Sequence, residues 1–290
     1  MSLTELFCEV DDFCQRFEPQ WQAYRLDEGQ RQRQRRGQLT LSETMTLLIH
    51  FHQSAYRNFK HYYTDYVAVH LRAAFPTLIS YSRFVGRLGE ALGPLCAYLS
   101  TRKAPPTGLA FVDATALAVC DNRRIRSHRV FEGLAARGKT SMGWFYGFKL
   151  HLIINDQGGL LAYQLTAGNT DDRTPLLALC RGLYGKLFGD KGYISQAKTE
   201  ALAEQGVELI TRWRRTMKPK PLSDFDRSML KHRSIIETIF DQLKNISHIE
   251  HSRHRSPLHF LINVIAGLIA YTWQPKKPAL NIDSTYPALA

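Results

Sequence analysis

The chain has 290 residues, 44% of them hydrophobic, and carries a formal net charge of +12. Its 15 phenylalanines, 13 tyrosines and 4 tryptophans exclude an intrinsically disordered chain and are enough for a substantial core. The excess of positive charge favours an anionic partner, with nucleic acid the first candidate and an acidic membrane surface the second.

The first hundred residues predict helices. Ser2 with Glu5 and Thr40 with Glu43 fit capping boxes, each followed by apolar residues at helical spacing. A further helical pattern covers about residues 80–98. We therefore expect an α-helical N-terminal region.

Two features divide the chain before the periodicity changes. Residues 31–36 contain four arginines, and residues 103–108 contain two prolines and a glycine, which break helices. The second feature predicts a domain boundary. We expect a helical region over residues 1–104, a second domain over 105–275 and a tail over 276–290.

Alternating apolar residues after Gly108 predict strands. Gln157-Gly158-Gly159 marks a hairpin turn, and Asp171 or Asp172 is a candidate helix cap. Strands are predicted over residues 109–119, 144–155, 160–166, 187–190 and 207–211, with helices over 172–179, 195–205, around Glu237 and over 258–273. This order predicts an α/β fold: a mixed five-stranded sheet flanked by helices.

Cysteines and apolar segments predict an intracellular protein without a membrane span. The five cysteines are scattered and form no close pair of the zinc or redox type. Residues 258–273 are fewer than the ~20 that a span requires and include His259 and Asn263, so a buried helix is expected. The N-terminus has no basic-then-apolar signal pattern, which favours the cytoplasm.

Three acidic residues stand out. Asp113 follows the apolar run Gly108–Val112, Asp190 follows Lys186–Gly189, and Glu237 lies inside a predicted helix. Mg²⁺ prefers carboxylate oxygens, and two-metal sites catalyse in-line displacement at phosphorus. Each acid alone is more typical of a cap, a turn or an exposed helix position. Their conjunction in a basic chain predicts a metal site that acts on nucleic acid.

Two cations extend this pattern along the helix of Glu237. Arg233 lies four residues before Glu237 and Lys244 seven after it, so all three fall on one predicted face. Cations beside a metal-binding carboxylate are suited to bind phosphates. Simple intrahelical ion pairing is the alternative.

Several motifs resemble bacterial insertion-sequence transposases of the DDE class, which have a ribonuclease-H-like catalytic domain. The resemblance covers about residues 108–250. The matching segments are Phe111–Thr115, Gly147–His151, Ala167–Asp172, Gly189–Tyr193 and Arg233-x₃-Glu237-x₆-Lys244. Related transposases often have a tyrosine where Leu230 stands, which puts any role of that tyrosine in doubt for this chain.

The resemblance implies a DNA transposase that hydrolyses transposon ends in a Mg²⁺-dependent reaction and transfers the freed 3′-OH into target DNA. Residues 105–275 would be its catalytic domain, and the helical region 1–104 would bind DNA ends or mediate oligomerisation. Asp113, Asp190 and Glu237 would be catalytic and hold two Mg²⁺ ions, with Mn²⁺ able to substitute. The partners would be double-stranded DNA, as inverted-repeat ends and target, and further copies of the chain in a homodimer or higher oligomer. The setting would be the bacterial cytoplasm, at the nucleoid.

Basic segments are the candidate DNA contacts. Residues 212–233 contain eight lysines and arginines against two aspartates, and Trp213 could stack on an unpaired base. A second basic stretch, Arg123–Arg129, could grip the same duplex. The predicted DNA-binding residues are Lys191, Arg212, Arg214, Arg215, Arg233 and Lys244.

Two alternative functions remain open at this point. A ribonuclease-H-like nuclease or junction resolvase shares the metal chemistry but does not join strands. A non-catalytic repressor derived from a transposase would bind DNA without cutting it.

Overall fold

The computed structural model describes residues 2–27, 39–141, 143–213, 221–251 and 254–280, which leaves the arginine cluster at 31–36 outside the described residues. The chain forms two compact units. The first is Met1–Arg102, Asn245–Ile249 and His254–Pro275, and the second is Lys103–Lys244, Glu250–Arg253 and Lys276–Ala290. Residues 254–275 therefore group with the N-terminal helices, whereas the predicted catalytic domain included them.

Helices occur in both units, and several begin near their predicted positions. They are α1 (Leu3–Asp27), α2 (Leu41–Phe51), α3 (Phe59–His61), α4 (Ala68–His70), α5 (Tyr81–Arg87), α6 (Leu92–Thr101), α7 (Leu176–Leu179), α8 (Gln196–Glu204), α9 (Asp224–His232), α10 (Ser234–Asn245) and α11 (Pro257–Thr272). Both capping boxes are confirmed: the hydroxyls of Ser2 and Thr40 accept the backbone N–H groups of Glu5 and Glu43, whose carboxylates accept in return.

A π-helical segment, Tyr62–Val67, connects α3 to α4 and was not predicted. A π-helix bonds residues five apart, so Tyr62 and Val67 share one face, and both are fully buried. Tyr63 and Val67 are four residues apart, a spacing that an α-helix also gives, so the sequence does not distinguish the two kinds of helix here.

The second unit contains a mixed sheet, which confirms the predicted fold class. Its strands are β1 (Leu109–Cys120), β2 (Ala136–Thr140), β3 (Gly143–Asn155), β4 (Leu160–Ala167), β5 (Gly185–Gly189) and β6 (Val207–Thr211). β1 pairs antiparallel with β3, which pairs antiparallel with β2 and β4. On its other side β1 pairs parallel with β5, and β5 parallel with β6. The described residues thus hold six strands rather than five.

The additional strand is β2, and its sequence explains why it was missed. Ala-Arg-Gly-Lys-Thr has no alternation of apolar residues, and only Gly138 is buried. β2 is extended because each of its residues pairs with β3, and not because of the pattern of its own side chains.

Two helix predictions were wrong in detail. The helix expected around Glu237 is divided into two helices, α9 and α10, that meet at Arg233. No glycine or proline lies at this break, and Arg233 keeps right-handed helical backbone angles. The helix expected from Asp171 or Asp172 begins only at Leu176, because the Asp171 carboxylate accepts the backbone N–H of Arg173 in a turn.

The two faces of the sheet are organised differently. One face, with Val112, Ile153 and Leu187, forms a core with Leu176 of α7 and Leu202 of α8. On the opposite face, the side chains of Arg233 and Lys244 hydrogen-bond to β1 and so connect it to α10. No helix in the described part of the chain is both long and apolar enough to cross a membrane.

Candidate catalytic site

Asp113 and Asp190 occupy equivalent positions on neighbouring parallel strands. β1 and β5 pair in register up to Phe111 and Phe188, and each aspartate lies two residues further on. Because side chains alternate along a strand, both aspartates follow the face of the phenylalanine pair. The register therefore brings these two acids to the same edge of the sheet.

Asp113 lies inside its strand and not at its end, as the predicted strand over residues 109–119 implies. β1 continues to Cys120 because it remains paired with β3, and Asp113 itself lies opposite Leu152. Only its parallel neighbour β5 stops, at Gly189. The site therefore opens where β5 leaves the side of β1.

Arg233 joins Asp113 to Glu237. Its guanidinium donates from Nη1 to Asp113 Oδ2 at 2.9 Å and from Nη2 to Glu237 Oε1 at 2.7 Å. The side chains of Arg233 and Asp113 are about one-fifth exposed, while Glu237 is 56% exposed. The break between α9 and α10 thus places Arg233 beside the sheet and Glu237 in the first turn of α10.

Burial dominates the electrostatics of Asp113. It raises the pKa of Asp113 to about 6, against the lowering effects of the Arg233 charge and of the Ala114 N–H; the nearby charge of Asp190 raises it further. Burial also lowers the pKa of Arg233, but the carboxylates of Asp113, Glu237 and Asp190 outweigh it, and the net shift is upward. The site concentrates negative charge around one cation.

The turn after β5 fixes Asp190. Its Oδ1 accepts the backbone N–H of Gly192 at 2.7 Å and caps the turn Lys191–Tyr193. A Cβ at Gly192 would lie 2.8 Å from the same oxygen, so a side chain there would displace the carboxylate. Lys191 is exposed beside it.

Lys244 is engaged by the protein, although it was predicted to bind DNA. Its Nζ donates to the carbonyl of Ala116 at 2.6 Å and lies 3.0 Å from Glu250 Oε2. Glu250 in turn accepts the N–H of Ala118 at 2.7 Å. These contacts hold the end of α10 against β1. Its predicted role in DNA binding stays a prediction.

The other predicted DNA contacts are only partly described. Arg212 is exposed at the end of β6, and Trp213 is 36% exposed. Arg214 and Arg215 lie outside the described residues.

A polar cluster on β3 was not assigned a role from the sequence. Lys149 Nζ lies 2.8 Å from Asp172 Oδ1, and the buried His151 bonds to Thr166 Oγ1 at 2.8 Å. Burial raises the pKa of Tyr193, and the charges of Asp113, Asp172 and Asp190 add to this effect. The sequence contained a signal for this cluster, because Lys149 and His151 are two residues apart on one predicted strand and therefore share a face.

The donor chemistry suits a hard divalent cation, but a cation is already supplied by the protein. Carboxylate oxygens on adjacent strands are the ligands that Mg²⁺ prefers. Arg233 bridges two of the three carboxylates, and no group of three metal-binding side chains in the described ranges is close enough to hold an ion. That Asp113, Asp190 and Glu237 hold a metal ion therefore stays a prediction.

Comparisons with known proteins identify the family. A sequence model described as "Transposase DDE domain" matches residues 103–257. The search of curated proteins found no match. Among solved structures, the chain is similar to the piggyBac transposase in a synaptic complex with hairpin DNA (12% identity, 83% of this chain, 68% of that chain, TM-score 0.45). It is also similar to a chain of the simian T-cell lymphotropic virus intasome bound to PP2A regulatory subunit B56 gamma (14% identity, 69% of each chain, TM-score 0.28).

The family match has the same extent as the sheet and its helices. It begins before β1, ends at the start of α11 and contains all three acids. Since the match covers more than half of the 290 residues, the protein belongs to the DDE transposase family.

Proposed function

We propose that this transposase hydrolyses one phosphodiester at each end of a mobile element and joins the freed 3′-OH to target DNA. The observation that carries the proposal is the register of β1 and β5, which places Asp113 and Asp190 side by side, with Glu237 tied to Asp113 through Arg233. In this proposal the three acids hold two Mg²⁺ ions, and Mn²⁺ can substitute.

The acids and Arg233 have distinct tasks. Bound divalent cations would stabilise the charge on the attacking and leaving oxygens during displacement at phosphorus. Arg233 neutralises the carboxylates when no cation is bound. Since a guanidinium binds phosphate in the same forked geometry as carboxylate, Arg233 can exchange a carboxylate oxygen for a DNA phosphate.

The reaction balances without an external energy source. In the first step, water attacks phosphorus at the element end, and the bond from phosphorus to the 3′ oxygen breaks to leave a 3′-OH. In the second step, that 3′-OH attacks a target phosphodiester, so one P–O bond forms as another breaks. No covalent bond between protein and DNA is needed.

The proposed partner is double-stranded DNA, bound by a homodimer or higher oligomer of this chain. Exposed Arg212 and Lys191 lie at the ends of two adjacent parallel strands, β6 and β5, at the edge that carries Asp190. Contacts from such residues to phosphates position a duplex without reading its sequence.

A strand-transfer assay tests the joining step. DNA ends that are already cleaved and carry a 3′-OH are incubated with the protein, Mg²⁺ and a plasmid target. We expect joined products from the wild type and from Glu208→Gln, a control on the neighbouring strand β6, and none from Asp190→Asn. Cleavage of intact ends without any joining would instead identify a nuclease or resolvase. DNA binding with neither activity would identify a repressor.

A further inference from the structure

The hairpin of β2 and β3 carries an exposed aromatic residue among basic side chains. Trp144 is 51% exposed, although tryptophan is normally well buried. Arg137 and Lys139 of β2 lie over its ring, at 4.9 and 5.7 Å from the ring centroid. No residue in the catalytic site contacts this group through any described hydrogen bond or ion pair.

Strand register explains why these residues share a surface. Lys139 lies directly opposite Trp144, and Arg137 is two residues before Lys139, so all three follow the same face of the hairpin. The other face carries Gly138 and Phe145, which are both buried. The hairpin is thus apolar inside, and cationic and aromatic outside.

A basic turn is tied to this hairpin. The 3₁₀ turn Asn122–Ser127 contains three exposed arginines, Arg123, Arg124 and Arg126. Asn122 Nδ2 donates to the carbonyl of Trp144 at 2.6 Å and so fixes the turn beside the ring. Within the described part of the chain, none of these arginines, Arg137 or Lys139 forms an ion pair with a carboxylate.

We propose that this surface binds DNA with an unpaired stretch: Trp144 stacks on an unpaired base while the arginines and Lys139 contact the phosphates on either side. The inference rests on the proposed action on DNA ends. Charge complementarity identifies a polyanion, and the half-exposed indole adds a stacking platform that a paired, internally stacked duplex cannot use. A purely internal cation–π pair would leave the three arginines of the turn unexplained.

Binding in EDTA tests the surface separately from catalysis. The probes are an element-end duplex and the same duplex with an unpaired terminus. We expect Trp144→Ala to bind the unpaired probe about tenfold more weakly, a loss that corresponds to one stacked base, and to bind the paired probe nearly as well as the wild type. Trp144→Phe, which keeps a ring, should retain most of the affinity.

Three further measurements test the contacts of Trp144 and of the basic side chains, and the folding of the variant. The wild type should show fluorescence quenching with the unpaired probe that Trp144→Phe lacks. The double variant Arg137→Gln, Lys139→Gln should reduce the salt dependence of binding, whereas Arg181→Gln, an exposed arginine elsewhere in the second unit, should change less. Thermal melting shows whether Trp144→Ala is folded.

The outcomes separate the surface from the proposed function. The proposed role of the surface is wrong if Trp144→Ala and the wild type bind the unpaired probe with equal affinity. It is also wrong if Trp144→Ala loses the same affinity for both probes. If Trp144 variants lose the unpaired probe while the wild type never cuts DNA, the surface stands and the proposed reaction fails. If the wild type cleaves DNA in a metal-dependent reaction but the Trp144 variants bind both probes like the wild type, the proposed reaction is supported and the proposed role of the surface is wrong.

Discussion

The guanidinium of Arg233 contacts two of the three acids, Asp113 at 2.9 Å and Glu237 at 2.7 Å. Sequence spacing predicted that Arg233 and Glu237 share a helix face, and the i, i+4 ion pair is present. The bond to Asp113, 120 residues earlier in the chain, could not be predicted from spacing, since it depends on how α10 lies against β1. Periodicity in the sequence predicts only which residues are neighbours within one helix or strand.

We expect Arg233→Ala to lower the free energy of unfolding by about 1–2 kcal/mol, because it leaves the mostly buried Asp113 carboxylate unpaired; the figure is below that for a fully buried pair because both groups are partly exposed. In the double variant Asp113→Asn, Arg233→Ala the loss should be smaller than the sum of the single losses. Urea denaturation measures all three variants. Arg87→Ala, which breaks an exposed pair with Glu90, is the control and should cost at most about 0.5 kcal/mol. Strict additivity would show that the contact contributes nothing.

His151 should make stability depend on pH. Burial lowers the pKa of His151 from 6.5 to about 4, while the Asp172 charge opposes the shift and the Lys149 charge adds to it. The unfolded chain therefore binds the proton first, so this contribution is complete above pH 6.5 and is lost as the pH falls to about 4. The loss is about 3 kcal/mol.

The variant His151→Leu isolates this effect. It removes the titrating group, and the fall in unfolding free energy between pH 6.5 and 4 should become shallower than in the wild type. His61→Gln, a change at an exposed histidine, should keep the wild-type slope. Denaturant melts across that pH range measure the slopes; parallel curves for His151→Leu and wild type would contradict the assignment.

At the scale of elements, five strands were predicted within a few residues, and β6 matches at both ends. Their alternation is a local property of the sequence. β2 lacks that alternation, and the junction at Arg233 keeps helical backbone angles, so neither leaves a local signal. Both features enter the proposals: β2 carries the cations around Trp144, and Glu237 lies in the first turn after the junction.

The close packing of β2 gives a prediction at this scale. A Cβ at Gly138 would lie 2.1 Å from the carbonyl oxygen of Gly168 and 2.7 Å from the ring of Phe145. Gly138→Ala should therefore lower the free energy of unfolding by about 1–3 kcal/mol through overpacking. Gly86→Ala in α5, where nothing lies within 4 Å, is the matched control and should be neutral or stabilising. Similar melting temperatures for the two variants would show that β2 is not packed this tightly.

At the scale of the whole molecule, composition indicated an anionic partner and motifs indicated the family, which the match over residues 103–257 confirms. The grouping of α11 with the N-terminal helices was not predicted. Its apolar residues identify a buried helix but not the helices it packs against, because burial is a property of one segment and packing depends on two. The same reason limits the sequence prediction of the site: it named the acids but not the contacts between them.

In the proposed function, Asp113, Asp190 and Glu237 act as one cation-dependent site on DNA. The most direct measurement is cleavage of element-end DNA in Mg²⁺ by the wild type, by Asp113→Asn, Asp190→Asn and Glu237→Gln, and by the control Glu208→Gln. Each site variant should lose about a thousandfold or more in rate, since a bound metal stabilises the transition state by several kcal/mol, while all variants still bind the DNA in EDTA. The control should cleave like the wild type. Cleavage by purified Glu237→Gln at the wild-type rate would contradict the account.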